Sequence, residues 1–427
     1  MKLSLQSIQR FLVYCFVFFG PLGSLLSPAF MPKAFRFYHL FLIFSPLFFI
    51  RIKAYQWKAT LSFIPFLAYC FVSAYFTENK PLIEEGAHPF FRSGLLISQY
   101  LFMFGAAFCF PALEKGRLLR LYLGGIFFSL IAGYILFFGY YEGWISWKTL
   151  NHFCVEAQMA WNVLRFAPGS YANEYGNVCS FVLAVLILLL AERKKFSLCL
   201  YLLFILTFIA LVLTTTRAAY YSFAITFVYL CLVSKPVRRF SIKFIVLGSL
   251  LIGILKHYTF DFLYVLFGGI KAISLKTGSS GTRITEWVKG FEELGSAAVF
   301  GTGFGNNIAS HNVYLELLYE VGIAGSLLLL ICLVYYFSEH HLQIKRAFFS
   351  RAKSQEERLY TQITLIGLLH IFLFALTNHN MHHHLTWMTF LFFNLSLFRE
   401  KALSPEALKD GALRHDDTPQ HALRFLQ

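Results

Sequence analysis

Long apolar runs separated by short polar connections cover almost the whole chain. Twelve of them approach the roughly 17–25 residues with which a helix crosses a bilayer core. They lie at 11–31, 37–50, 60–76, 94–112, 121–141, 177–191, 196–216, 217–234, 240–256, 313–337, 361–377 and 386–398. The pattern predicts an all-α polytopic membrane protein of about 12 transmembrane helices. A single transmembrane domain covers 1–398 and a short cytoplasmic tail covers 399–427. Two outer connections stand out by length, 142–176 and 257–312, the second a large loop between the ninth and tenth spans. The first ten residues and the apolar run behind them resemble a signal peptide. No cleavage-site pattern follows, so the run is read as the first span.

Composition agrees. Of 427 residues, 57% are hydrophobic and 14% charged, more apolar surface than a soluble chain of this length hides. A net charge of +15 would suggest nucleic acid in a soluble protein, but its distribution gives another origin. With the N-terminus in the cytoplasm, Lys2, Arg10, Arg51, Lys53, Arg117, Arg120, Arg193, Lys194, Arg238, Arg239, Lys345, Arg346 and Arg358 fall on inner connections. Lys401 and Arg414 fall on the tail, which is cytoplasmic as well. The longer outer segments hold far fewer, as the positive-inside rule requires. The charge is therefore a topology signal; membrane lipids are the expected surroundings and no nucleic-acid partner is called for. Most cysteines sit inside apolar runs as small hydrophobes. Cys154 and Cys179 alone lie near the same outer surface, where an oxidising compartment would let them pair.

The polar residues that look chemical fall on the outer side of this topology. Gly303 and Gly305 belong to a Gly-Thr-Gly-Phe-Gly turn whose amides can approach a ligand closely. His311 and Asn312 stand where the tenth span begins, with Glu316 and Glu320 one and two turns into it. Ionisable groups in a membrane helix cost about 2.5–3.5 kcal/mol each to insert and mark function by default. The competing reading is an ordinary loop in which His311 caps a helix. Upstream, Thr282 is placed to cap a short helix starting at Arg283 and ended by Gly295. An aromatic stretch over 260–275 is expected to lie along the membrane surface.

Arg217, in Thr-Thr-Thr-Arg-Ala-Ala, stands where two apolar runs meet with almost no loop between them. It either snorkels to the interface or faces a polar cavity, and anchoring positive charge belongs on the other side of the membrane. Arg165 lies in the loop 142–176, shortly before Asn173-Glu174-Tyr175-Gly176. The loop 378–385 carries His379, His382, His383 and His384. It holds no carboxylate or thiolate, and adjacent imidazoles cannot all converge on one ion, so a polar lining is favoured and no metal site is assigned. Asp416 and Asp417 fall in the cytoplasmic tail and are discounted. No phosphate-binding loop of a nucleotide-driven pump is present in the sequence.

Arginine presents a planar fork of donors that fits phosphate oxygens and keeps its charge when partly buried. Arg217, Arg283 and Arg165 at the outer interface suit a pyrophosphate whose lipid tail remains in the bilayer. His311 can take a proton from an attacking hydroxyl near neutral pH, with Glu316 or Glu320 orienting the imidazole or pairing with an arginine. These parts describe glycosyl transfer from a lipid-pyrophosphate donor.

Residues 281–325 resemble the signature of the O-antigen ligase and O-antigen polymerase superfamily of bacterial envelope membrane glycosyltransferases. His311-Asn312, nine residues, then Gly322-Ile-Ala-Gly325 is similar to the ligase pattern, with Ser326 where that pattern usually has Thr or Val. The glycine turn, Arg283 with Trp287, Arg217 and Asn173-Glu174-Tyr175-Gly176 fit the same family. The resemblance implies a metal-independent, inverting transfer without cofactor from an undecaprenyl-pyrophosphate-linked glycan to a sugar hydroxyl of lipid A–core. It implies His311 as base, Arg217 and Arg283 as diphosphate clamps and Arg165 as a looser match. The expected setting is the bacterial inner membrane with a periplasmic active site. A polymerase or a protein O-oligosaccharyltransferase would use the same donor. A transporter or flippase would place its charges near the midplane, on repeated halves.

Overall fold

The computed structural model describes residues 4–27, 36–50, 60–77, 88–109, 115–155, 157–160, 163–192, 197–258, 278–306, 311–349, 354–378 and 381–402. Within them the chain is built almost wholly of helices: α1 (Leu5–Phe19), α2 (His39–Leu42), α3 (Ile64–Tyr75), α4 (Pro89–Cys109), α5 (Lys115–Tyr141), α6 (Trp147–Phe153), α7 (Ala172–Glu192), α8 (Leu198–Leu213), α9 (Arg217–Val233), α10 (Lys235–Tyr258), α11 (Gly278–Ala297), α12 (Val313–Ile344), α13 (Gln355–Ala375) and α14 (His384–Ala402). Each of the twelve apolar runs holds helical residues. Among the described residues, 5 stretches qualify by length and hydropathy to cross a membrane: Leu5–Leu26, Lys115–Tyr141, Ala172–Glu192, Val313–Phe349 and Gln355–Ala375. Others, such as Ile64–Tyr75 and Leu198–Leu213, are apolar but shorter than a bilayer core requires. The hairpin Met159–Ala160 with Val163–Leu164 forms the only strands among the described residues.

The core forms around α7. Every residue from Val178 to Leu188 is buried, as expected for a helix apolar on all sides. α8, α9, α10 and α13 pack around it, while α4 joins α3 and α14. Gly176 lets α7 meet the Thr214–Thr216 turn, where an added Cβ would press on Thr214, Thr216 and Ala219. None of the eight cysteines is in a disulfide; Cys154 and Cys179 are free and buried.

Local expectations change at α11 and at the start of α12. α11 starts at Gly278, so Thr282 lies inside the helix, and it runs through Gly295 to Ala297. The stretch 260–275, His379 and the tail beyond 402 lie outside the described residues. The cap of α12 is Asn312 and not His311: its Oδ1 accepts from the amides of Tyr314 at 3.0 Å and Leu315 at 3.1 Å.

The glycine turn has a structural task. α12 breaks at Gly322 (φ 66°, ψ −170°), a conformation open to glycine and strained for other residues. The break leaves backbone groups without helical partners, and the segment 297–304 supplies them. Thr302 N donates to Tyr319 O at 2.8 Å and Gly303 N to Glu320 O at 3.0 Å. Ile323 N and Ala324 N donate to Ala298 O and Val299 O, each at 2.9 Å. From α3, Tyr69 Oη donates to Val321 O at 3.0 Å, and Ser73 Oγ accepts from Phe304 N at 3.0 Å. An added Cβ on Gly301, Gly303 or Gly305 would strike Glu320, Thr77 or Pro89. The amides of Gly301 and Gly303, expected to approach a ligand, are thus engaged within the chain.

Candidate functional site

Polar residues gather where the N-terminal ends of α4, α7, α9, α12 and α14 meet. Two ion-paired clusters, each around one arginine, frame this end. Arg36 Nη2 donates to Glu174 Oε2 at 2.6 Å, and Ser170 Oγ donates to the same oxygen at 2.6 Å. Arg92, in the first turn of α4, reaches Glu316 Oε1 at 2.8 Å and Glu320 Oε1 at 3.1 Å. Those two carboxylates are 3% and 1% exposed, so the arginine fork offsets most of the cost of burying them. His382 lies in the field of both clusters, and its Nδ1 is 3.1 Å from Gln99 Oε1. Burial first, then the charge of Arg92, hold its pKa down at about 3, so the ring is neutral at physiological pH and Nδ1–H donates to Gln99.

Arg165 is set in a shell of neutral oxygens. Its Nε donates to Thr214 O at 2.9 Å and Thr215 Oγ1 at 3.1 Å, and Nη1 to Gln158 Oε1 at 2.7 Å. Nη2 donates to Asn173 Oδ1 at 2.7 Å and Thr216 Oγ1 at 2.9 Å. Asn173 in turn donates to Asn378 Oδ1 at 3.0 Å. The Arg165 fork therefore organises the Thr214–Thr216 turn from which Arg217 projects as the first residue of α9.

Arg217, Arg283, Glu286 and His311 form the remaining group. Arg283 is half-buried on α11. Burial first and the positive field of Arg217 second lower its pKa, against an opposing pull from Glu286. An arginine lying in the positive field of a second one, on the helix whose Glu286 meets a histidine, makes a site that favours a bound anion. His311 Nε2 lies 3.8 Å from Glu286 Oε2, and the imidazole is 38% exposed. α11 is fixed to α12 by Tyr319, whose hydroxyl donates to Trp287 O at 3.0 Å and whose ring packs edge-on against Phe291. Gly290 makes room for that ring. His311 (φ 46°) and Thr215 (φ 52°) both adopt the left-handed region, which for a β-branched residue such as threonine is a strained state held by its surroundings.

The structure thus brings Arg217, Arg283 and His311 together. It gives Glu316 and Glu320 to Arg92, and Arg165 to the threonine turn. Arg92, Arg36 and Glu286 are the residues that sequence reasoning passes over. The signal for Arg36 and Arg92 is the one already applied to Arg217, an arginine at the outer end of an apolar run. For Glu286 it is the spacing of three residues from Arg283, which shares a helix face. Among the described residues no group of three His, Cys, Asp or Glu side chains could hold a metal ion.

Residues 202–330 match the O-antigen ligase family. The matched stretch begins in α8 and ends beyond the break in α12, so it contains Arg217, Arg283, Glu286, His311, Asn312 and Gly322. It supports the O-antigen ligase superfamily indicated by the signature, and with it a glycosyltransferase-like membrane enzyme acting on lipid-linked glycans. Arg92 and Arg165 lie outside the O-antigen ligase stretch and reach it through the contacts above, whereas Glu174, also outside it, pairs with Arg36. No curated protein matches the chain.

Proposed function

We propose that the chain is an O-antigen ligase-type enzyme that moves a glycan from undecaprenyl pyrophosphate to a sugar hydroxyl of lipid A–core, on the periplasmic side of the inner membrane. The observation that carries this reading is the grouping of His311 with Glu286 at 3.8 Å on the helix that carries Arg283, within the field of Arg217. Arg217 and Arg283 hold the diphosphate and offset the charge that grows on it as the glycosyl bond breaks. His311 accepts the acceptor's hydroxyl proton as oxygen attacks the anomeric carbon from the face opposite the departing pyrophosphate. The glycosyl C–O bond breaks with its electron pair leaving on the pyrophosphate, so the reaction inverts and draws its driving force from the lipid donor. Proton transfer to a positioned base contributes roughly 10²–10⁴-fold in rate.

The test is His311→Asn, assayed with purified lipid-linked glycan and acceptor beside a donor-binding measurement. Asparagine keeps hydrogen-bonding capacity and cannot take the proton. Donor binding near that of the unsubstituted enzyme with transfer lowered at least 10²-fold is expected; transfer at the original rate removes His311 as the base. In a strain lacking the gene, loss of all capped lipopolysaccharide with glycan retained on undecaprenyl pyrophosphate is the ligase outcome. One-repeat capping is the polymerase outcome.

A further inference from the structure

We infer that Glu286 is the positioning residue for His311: its carboxylate, placed beside the imidazole, stabilises the imidazolium formed when the acceptor gives up its proton. The inference rests on the function proposed above and adds a residue that the signature does not supply. Glu286 Oε2 is 3.8 Å from His311 Nε2, and the two side chains are 24% and 38% exposed. This is a charge-range contact beyond hydrogen-bond distance. A carboxylate at this separation favours the protonated ring whichever nitrogen receives the proton.

The surrounding charges make the assignment specific. Glu316 and Glu320, the acidic residues nearest to His311 along the chain, are turned to Arg92. Glu286 lies one helical turn from Arg283 on α11 and draws on it, against the positive field of Arg217. A positive field reaching the ring disfavours an imidazolium, and the carboxylate beside it favours one.

Glu286 also stands on a fixed platform. α11 is fastened to α12 by the Tyr319 hydroxyl on Trp287 O and by the Phe291–Tyr319 ring contact. Asn312, next to His311, caps α12 and donates from Nδ2 to Leu376 O at 3.2 Å. Carboxylate and imidazole are therefore each borne on backbone anchored within a few residues. The left-handed φ of 46° at His311 is the strained conformation in which the ring meets α11.

During transfer the hydroxyl proton moves to His311, the new glycosidic C–O bond forms, and the bond to the pyrophosphate breaks with its electrons on the leaving group. Glu286 exchanges no proton and acts only through the charge it places beside the ring.

The experiment uses full-length protein labelled with ¹³Cε1-histidine in lipid nanodiscs, unsubstituted and as Glu286→Gln. The His311 signal is assigned by its absence in His311→Asn. Glu286→Gln should lower the imidazole midpoint by about one pH unit and shift the acid limb of kcat to lower pH by the same amount. kcat near neutrality should fall about 10–100-fold while KM for the lipid-linked donor changes little. Glu286→Asp, which keeps the charge, should recover part of the midpoint and of the rate. An unmoved midpoint overturns the inference, as does a loss carried by donor KM alone, which would assign Glu286 to Arg283. The midpoint is read without turnover. Unimpaired transfer by His311→Asn would therefore remove the proposed base and leave the coupling of Glu286 to the ring measured by itself.

Discussion

Arg92 and Glu316 form a 2.8 Å ion pair that joins the first turn of α4 to the first turn of α12. With Glu320 on its second nitrogen at 3.1 Å, Arg92 holds two carboxylates that solvent hardly reaches. Arg92→Met strands both charges, and breaking a buried pair from one side costs about 3–5 kcal/mol. A marked fall in melting temperature and in monodisperse yield from detergent is expected. Adding Glu316→Gln should return part of the loss, since the two changes share one interaction. An unchanged melting curve for Arg92→Met would contradict this account.

Lysine should not replace Arg217 or Arg283. A point charge lacks the fork that grips two phosphate oxygens at once. Each substitution should lower transfer by at least tenfold while the protein still inserts, with the loss appearing in donor binding. Arg165→Lys acts one step removed, through the threonine turn, so its loss should be smaller. Measured donor affinities near the original for both Arg217→Lys and Arg283→Lys would reduce these residues to interface anchors.

Gly322→Ala tests the break in α12. An L-residue held at this φ and ψ costs about 1–3 kcal/mol, and the new methyl would also meet Gly301 N and Val299 O. Thermal stability should fall by more than the conformational term alone, and Gly301→Ala should behave alike, because its methyl strikes the same junction from the other side. If both variants melt with the unsubstituted protein, the junction is looser than its hydrogen bonds imply.

The buried imidazole of His382 gives a pH dependence of stability with a definite sign. Its folded pKa is near 3, below the roughly 6.5 of an unfolded histidine. Between those values the unfolded chain binds the extra proton, so the contribution is intact above pH ~6.5 and is lost progressively as pH falls toward 3. His382→Gln should flatten the slope of melting temperature against pH in the range 4–6.5. An identical slope would mean that acid sensitivity arises elsewhere.

The legible part of this molecule is what local pattern encodes. Apolar runs mark the helices because burying or lipid-facing such runs leaves no alternative. Arg217, Arg283 and His311 stand out as ionisable groups at helix ends in a chain with few of them. Partner choice is a different matter. Glu316 and Glu320 lie closest in sequence to His311, yet they pair with Arg92, more than two hundred residues away. No periodicity records which helix packs opposite. Gly303 and Gly305 read as ligand approaches because the same backbone freedom serves a phosphate or a packed neighbour. Only the position of Thr77 and Pro89 decides between them.

The junction between the segment 297–304 and the break at Gly322 has a consequence for exchanging parts between related enzymes. A loop that completes the hydrogen bonding of a helix twenty residues downstream cannot be swapped without it, nor the helix without the loop. The interval from Ala297 to Gly325 is a cassette. Chimeras cut outside it should assemble, and those cut between the glycine turn and His311 should join two halves of a backbone lock that were never fitted to each other.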